Sequence, residues 1–276
     1  MKMANKILAA VGVAAVLASN PLIAGDGKTF KDKVIVEETT KWWGANLSTG
    51  WDSLYMFRGA NVLRGNDDYG SGLYWTDLNV TFNLSENDFL TIGSWVAFGT
   101  GSNDYKEVDI YTTYTRTFGD LSLSLGYIFY YVWSSPLYSH ELNASVAYTF
   151  DLGFATITPS LSYFFNLGPD VAEQGIADVA TSYLLAKVAG SVPVIADKVS
   201  VDPWVSFGTN FDYNVDQNAN QFVGANDLQV GIAVPWAIND TITVSGYGAY
   251  SYAWENLFGT TRPNTFWGGA KVVFSF

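Results

Sequence analysis

The stretch Thr265-Phe266-Trp267-Gly268-Gly269-Ala270-Lys271-Val272-Val273-Phe274-Ser275-Phe276 decides the fold class. Phe266, Gly268, Ala270, Val272, Phe274 and Phe276 share one parity, and Trp267, Gly269, Lys271, Val273 and Ser275 share the other. Alternation with period two marks a strand. One row stays apolar to the final aromatic residue, while the opposite row carries small residues and one lysine. That partition suits lipid outside and water inside better than the edge of a soluble sandwich.

Working back from this strand, the same alternation recurs in segments of about ten to fourteen residues separated by polar breaks, as in membrane barrels. The spacing predicts strands over 43–57, 72–84, 89–98, 105–118, 121–133, 139–150, 154–165, 177–190, 199–211, 227–236, 241–254 and the closing strand. In the first, Ala45, Leu47, Thr49, Trp51, Tyr55 and Phe57 are expected outward. Leu78, Val80, Phe82 and Leu84 follow in the second, and Val108, Ile110, Thr112 and Tyr114 in the fourth. The clearest is 121–133, where Leu121, Leu123, Leu125, Tyr127, Phe129, Tyr131 and Trp133 lie opposite Ser122, Ser124 and Gly126. In 177–190 the parity is blurred by Tyr183, Leu185 and Val188. The fold class expected is all-β, a transmembrane antiparallel β-barrel of about twelve strands over 43–276, with both termini periplasmic.

Composition agrees with one-sided strands. Aromatic residues make up 16% of the chain and charged residues 14%, with 26 glycines. The mean hydropathy is only +0.11, the average of an apolar and a polar face rather than of membrane helices. The net charge of −12, with 14 thinly spread basic residues, excludes nucleic acid as a partner. Cysteine is absent, which removes disulfides, thiolate metal sites and attachment of lipid at an N-terminal cysteine.

Residues 1–24 read as a secretory signal: Lys2 and Lys6, the apolar run 7–17, then Pro21-Leu22-Ile23-Ala24. Cleavage after Ala24 or Gly25 is favoured, with Ala18 as the alternative. Residues 25–42 are expected to form a periplasmic N-terminal segment, alternatively a plug folded back into the barrel. Tight breaks at 85–88, 119–120, 151–153 and 237–240 alternate with longer ones at 59–71, 134–138, 166–176, 212–226 and 255–264. Short turns on one side and long loops on the other match periplasmic turns and external loops. Two breaks resist the pattern: 99–104 is short for a loop and 191–198 long for a turn. Trp42, Trp43, Tyr55, Phe57, Tyr74, Trp75, Tyr131, Trp133, Trp236, Tyr252 and Trp254 near strand ends are expected to form two interfacial girdles.

The closing strand resembles the C-terminal signature of bacterial outer-membrane β-barrel proteins. That resemblance implies that Phe274 and Phe276 belong to a signal read by the barrel assembly machinery, and that the last strand pairs with the first. The stretch 47–59, ending Tyr55-Met56-Phe57-Arg58-Gly59, is similar to the opening strand of a family of uncharacterised bacterial outer-membrane barrels with a Tyr-x-x-Arg-Gly element. The likeness covers about a dozen residues and implies a fold and a location, surrounded by outer-membrane lipid and lipopolysaccharide, but no activity.

Chemistry is sparse. The lone histidine, His140, is followed two residues on by Leu142, so the His/Ser spacing of outer-membrane phospholipase is missing. Ser145 falls on the opposite parity. The oxygen-rich runs 66–70 and 216–221 lack the ligand spacing of a calcium loop, and no metal or cofactor is expected. The informative set is the inward one. Asp52, Asp77, Glu107, Asp109, Glu141, Asp202 and Asp227 are expected to point into the lumen, against Arg58, Lys187 and Lys271. Charges on that face require water or a partner. The expectation is a narrow, passive, porin-like channel for small polar or cationic solutes rather than an enzyme. The alternative is a structural barrel whose lumen is filled by Trp204, Tyr130, Phe164 and the N-terminal segment.

Overall fold

The structure, a computed structural model, describes residues 41–63, 72–101, 105–133, 137–168, 181–196, 198–215, 221–254 and 264–276. The expected signal, the N-terminal segment before Lys41 and the loop 66–70 lie outside the described residues, as does all of 216–221 except Gln221. Twelve long strands form one antiparallel sheet: β1 (Trp43–Asp52), β2 (Leu73–Asn83), β3 (Asp88–Gly99), β4 (Lys106–Phe118), β5 (Leu121–Val132), β6 (Leu137–Tyr148), β7 (Thr156–Asn166), β8 (Thr181–Ile195), β9 (Val199–Val215), β10 (Gln221–Ala237), β11 (Ile242–Ala253) and β12 (Asn264–Ser275). Each pairs with its sequence neighbour. The sheet closes where β1 meets β12, with Leu47 opposite Phe274 and Gly50 opposite Lys271. At the seam the Phe276 amide donates to the Ala45 carbonyl at 2.9 Å. Closure leaves no edge with unpaired backbone groups, which hydrocarbon would not tolerate.

The parity read from the sequence sets the two surfaces. Along β5, Leu123 and Leu125 are exposed while Ser122 and Ser124 are buried. The outer row continues round the barrel through Leu78, Ile92, Ile110, Leu142, Leu161, Val188, Val205 and Val230. Exposed aromatic residues mark both rims. Trp42, Phe118, Phe154, Trp236 and Phe276 stand at the end with tight turns, and Tyr74, Phe98, Trp133 and Phe266 at the end with longer loops. A lipid-facing band between two aromatic girdles is the exterior of a transmembrane barrel.

Three expectations need correction. The break at 191–198 is mostly strand: β8 runs to Ile195, a register shift lying between Pro193 and Ile195, which is where a sheet accepts proline. β9 and β10 run on to Val215 and back from Gln221, so most of the expected 212–226 loop is an extended hairpin with a second register shift between Phe211 and Val215. The largest difference concerns the first strand. β1 stops at Asp52, and residues 53–63 turn into the barrel. The Ser53 amide donates to the Gly268 carbonyl at 2.8 Å, and the Ser53 hydroxyl accepts from the Gly268 amide at 3.0 Å. A hairpin of Met56–Phe57 with Ala60–Asn61 follows. Its two central residues, Arg58 and Gly59, have φ of 48° and 78°, the two-residue turn that matches strand twist and favours residues without a constrained Cβ.

Candidate functional site

The inserted hairpin meets the wall on every side. Tyr55 and Leu63 bury against Trp75, Trp95, Tyr111, Ile128 and Tyr130 of β2 to β5. Met56 and Leu54 face the other way, onto Trp204, Ala249 and Trp267 of β9, β11 and β12. Gly231 leaves the space that the Trp204 indole occupies: a Cβ there would overlap the ring. Tyr55 and Phe57, expected on the lipid side, are therefore inside, and so is Trp75, 3% exposed. Parity was right for Trp75, which alternates with Tyr74, but its place near a strand end suggested a girdle. The third cluster, Phe164, Tyr183 and Leu185 with Tyr213 beside it, explains the blurred parity of β8. From Tyr183 onward the inward row is Tyr183, Leu185 and Lys187, an apolar pair facing the insert rather than lipid.

Arg58 is the hub. Its guanidinium donates to both Glu141 oxygens at 2.7 Å, and the Tyr130 hydroxyl donates to Glu141 Oε1 at 3.1 Å. The rings of Phe57, Phe164, Tyr183 and Tyr213 lie 4.7, 4.3, 5.3 and 4.2 Å from the guanidinium carbon. Cationic planes are held this way, fork onto carboxylate with aromatic faces around it. The extended β9–β10 hairpin supplies the backbone clamp, with Asn226 Nδ2 donating to the Arg58 carbonyl at 2.7 Å and Asn214 Nδ2 at 3.3 Å. Gly59 packs so closely on Asp227 that a Cβ would sit 2.5 Å from the Asp227 Cβ.

The other ionisable groups named from the sequence are all buried inside the barrel, from Asp109 and Asp227 at 0% to Asp77 at 8% exposure. Asp52 accepts from the Tyr247 hydroxyl. Asp77 accepts from Asn79 at 2.8 Å and Tyr111 at 2.9 Å, and Glu107 from Tyr55 and Tyr105, both at 2.7 Å. Asp227 accepts from Tyr183, Asn226 and Gln229. Lys187 lies 4.8 Å from the Trp204 ring. Asp202 and Lys271 are buried on β9 and β12. Asp109 differs from the rest. It sits beside Glu107, with Glu141 and Asp77 also in its field, and receives no hydrogen bond from a hydroxyl, amide or cationic side chain among the described residues.

Arg58 was expected on the wall and instead crosses to it from the insert. Tyr213, Asn214 and Asn226 were not foreseen, because the extended hairpin carrying them read as a loop. Their signal was the repeated asparagine at 210, 214 and 226 beside Tyr213, side chains that cap backbone groups where a strand bends. His140 stands apart from this site. It packs with Phe129 and Tyr138, and its Nδ1 is 2.6 Å from the Tyr127 hydroxyl.

A closed antiparallel barrel with apolar skin, aromatic rims and an interior of hydrogen-bonded charges defines a transmembrane β-barrel of the outer-membrane type. The solved structures it resembles are of that class. An outer-membrane channel from Pseudomonas putida F1 superposes with a TM-score of 0.57 at 10% identity, over 87% of this chain and 97% of that one. The NanC porin superposes with a TM-score of 0.51 at 9% identity, over 83% and 98%. No protein-family model matches the sequence, and no curated protein does.

Proposed function

We propose that the chain is a narrow passive channel in a bacterial outer membrane, passing small polar or cationic solutes, with residues 53–63 as its constriction. What carries the reading is the charge of the interior: among the described residues, seven buried carboxylates face three buried cations, one of which belongs to the insert. A wall with that excess attracts cations into a confined space where fields are weakly screened. In this reading the tight-turn end and both termini face the periplasm, 1–24 is a signal and 25–42 a periplasmic segment. Phe274 and Phe276 then serve as the signal to the assembly machinery, and the exterior meets lipid and lipopolysaccharide. A second reading, a barrel that transports nothing, is favoured by the insert itself, since Arg58 is 1% exposed and three apolar clusters pack around the hairpin.

Reversal potentials across a salt gradient, measured on refolded protein in planar bilayers, separate the two. The channel should prefer cations. Neutralising Asp77, Glu107 and Asp109 together as Asn or Gln should weaken that preference while the barrel still folds. Raising salt should weaken it as well, because the screening length falls from about 10 Å at 0.1 M to about 3 Å at 1 M. Anion selectivity would remove the charge argument, and absence of conductance would leave the filled barrel.

A further inference from the structure

The seat of Arg58 has the composition of a receptor. A carboxylate presents both oxygens, a tyrosine hydroxyl orients it, and aromatic rings from β7, β8 and β9 join Phe57 of the insert around the cation. Only Arg58 and Phe57 come from the insert; Glu141, Tyr130, Phe164, Tyr183 and Tyr213 all belong to the barrel. Removing the insert would leave the barrel side of the seat standing. We propose that this seat is a binding site for guanidinium-bearing and similar planar organic cations, filled here by the chain's own Arg58, and that a solute cation entering it frees residues 53–63 from the lumen. The proposal rests on the channel reading and adds both its preferred solute and its means of opening.

Three observations make the insert displaceable. Its own sheet is only two residue pairs long, and discrete contacts rather than a strand ladder tie it to the wall: the Ser53–Gly268 bonds, the Arg58 carbonyl clamp and the Tyr55–Glu107 bond. Arg58 adopts a φ of 48°, a region that non-glycine residues occupy at a cost. The wall it covers is poorly matched to it. Met56 and Leu54 pack on Trp204 and Trp267, whose indole Nε1 atoms are buried without a hydrogen-bond partner among the described residues. Buried donors without acceptors oppose the covered state and favour one in which water or a polar solute reaches them. The negative interior supplies the pull on an incoming cation, while the tether gives Arg58 an effective concentration in the millimolar range that the solute must exceed.

The test uses ethylguanidinium, with ethylammonium as the comparison, on the full chain refolded in detergent micelles and in bilayers. In Arg58→Ala the seat should bind ethylguanidinium saturably by calorimetry, at least fivefold more tightly than ethylammonium. The added change Glu141→Gln should abolish that binding. Should Arg58→Ala not fold, Arg58→Lys keeps a charge without the planar fork and should bind ethylguanidinium more weakly than Arg58→Ala would but measurably better than the unsubstituted protein. Absence of saturable binding, or binding indifferent to Glu141→Gln, overturns the site. Release is read separately: the chain has no cysteine, so Met56→Cys provides a single label. With Arg58 retained, ethylguanidinium should raise its maleimide reaction rate at least tenfold, and an unchanged rate overturns the displacement. Binding and release without conductance in any variant would sink the channel reading and leave the seat intact.

Discussion

β5 and the segment 53–63 carry nearly the same written signal, alternating aromatic and aliphatic residues next to serine and glycine, yet they end in opposite places. In β5 one parity meets lipid, with Leu125 63% exposed, and the other meets the lumen. In the inserted segment neighbouring residues of opposite parity are both buried, Tyr55 at 2% on one wall and Met56 at 1% on the other. Alternation reports that a segment has two unlike neighbours; it does not say that one of them is lipid. Between Asp52 and Arg58 the second neighbour is another wall of the same barrel. The segment is held there by the Arg58–Glu141 pair and by its packing on two walls, whereas β5 is held by its ladder.

The largest effect should follow from attacking that charge. Glu141→Ala leaves the Arg58 guanidinium buried with its rings but without a counter-ion, and loss of one partner of a buried pair costs about 3–5 kcal/mol. The double substitution with Arg58→Ala should cost less than Glu141→Ala alone, because no charge is then stranded. Denaturant titrations of the refolded barrel measure both. A double variant less stable than the single one would show that Arg58 holds the insert through its rings and backbone rather than through Glu141.

The corresponding attack on β5 is against lipid. Leu125→Arg should cost about 2–4 kcal/mol if its side chain lies near the bilayer midplane. Ser124→Arg, on the inner row, replaces a hydroxyl within 2.8 Å of Thr115 and should be the milder of the two in refolding titrations into lipid vesicles. Equal losses would mean that β5, like 53–63, is packed on both faces.

Most of the barrel was legible because membrane strands must separate lipid from lumen residue by residue. All twelve strands lay in the sequence near their observed places, and the inward row of charges was readable wherever the outer row was unambiguous. Legibility failed where residues inside the barrel are apolar. Tyr55, Phe57, Trp75, Tyr183 and Leu185 belong to the internal clusters, and nothing in a period-two pattern separates a row that faces Trp95 from one that faces lipid. The Arg58-Gly59 pair held the missing information. A non-glycine residue at positive φ is not foreseeable from the letters, so the turn read as the tail of a strand. Asn214 and Asn226 close on that turn from well over a hundred residues away, beyond the reach of local pattern.

The smallest change sharpens the same contrast at its softest contact. Tyr55 touches the wall in two ways, through its ring among Trp95 and Tyr105 and through its hydroxyl on Glu107 Oε2. Tyr55→Phe keeps the ring and removes only the hydroxyl. Glu107 would retain the Tyr105 hydroxyl on the same oxygen at 2.7 Å, so the carboxylate is weakened rather than stranded. The loss should be near the lower end for a hydrogen bond to a charged group, about 1.5 kcal/mol, well below that of Glu141→Ala. If residues 53–63 are held chiefly at Arg58, Tyr55→Phe should lower stability by that amount without raising conductance, since the hairpin tip stays seated. A rise in conductance would move the latch from the guanidinium seat to the Tyr55–Glu107 contact, and with it the residue that decides when the lumen opens.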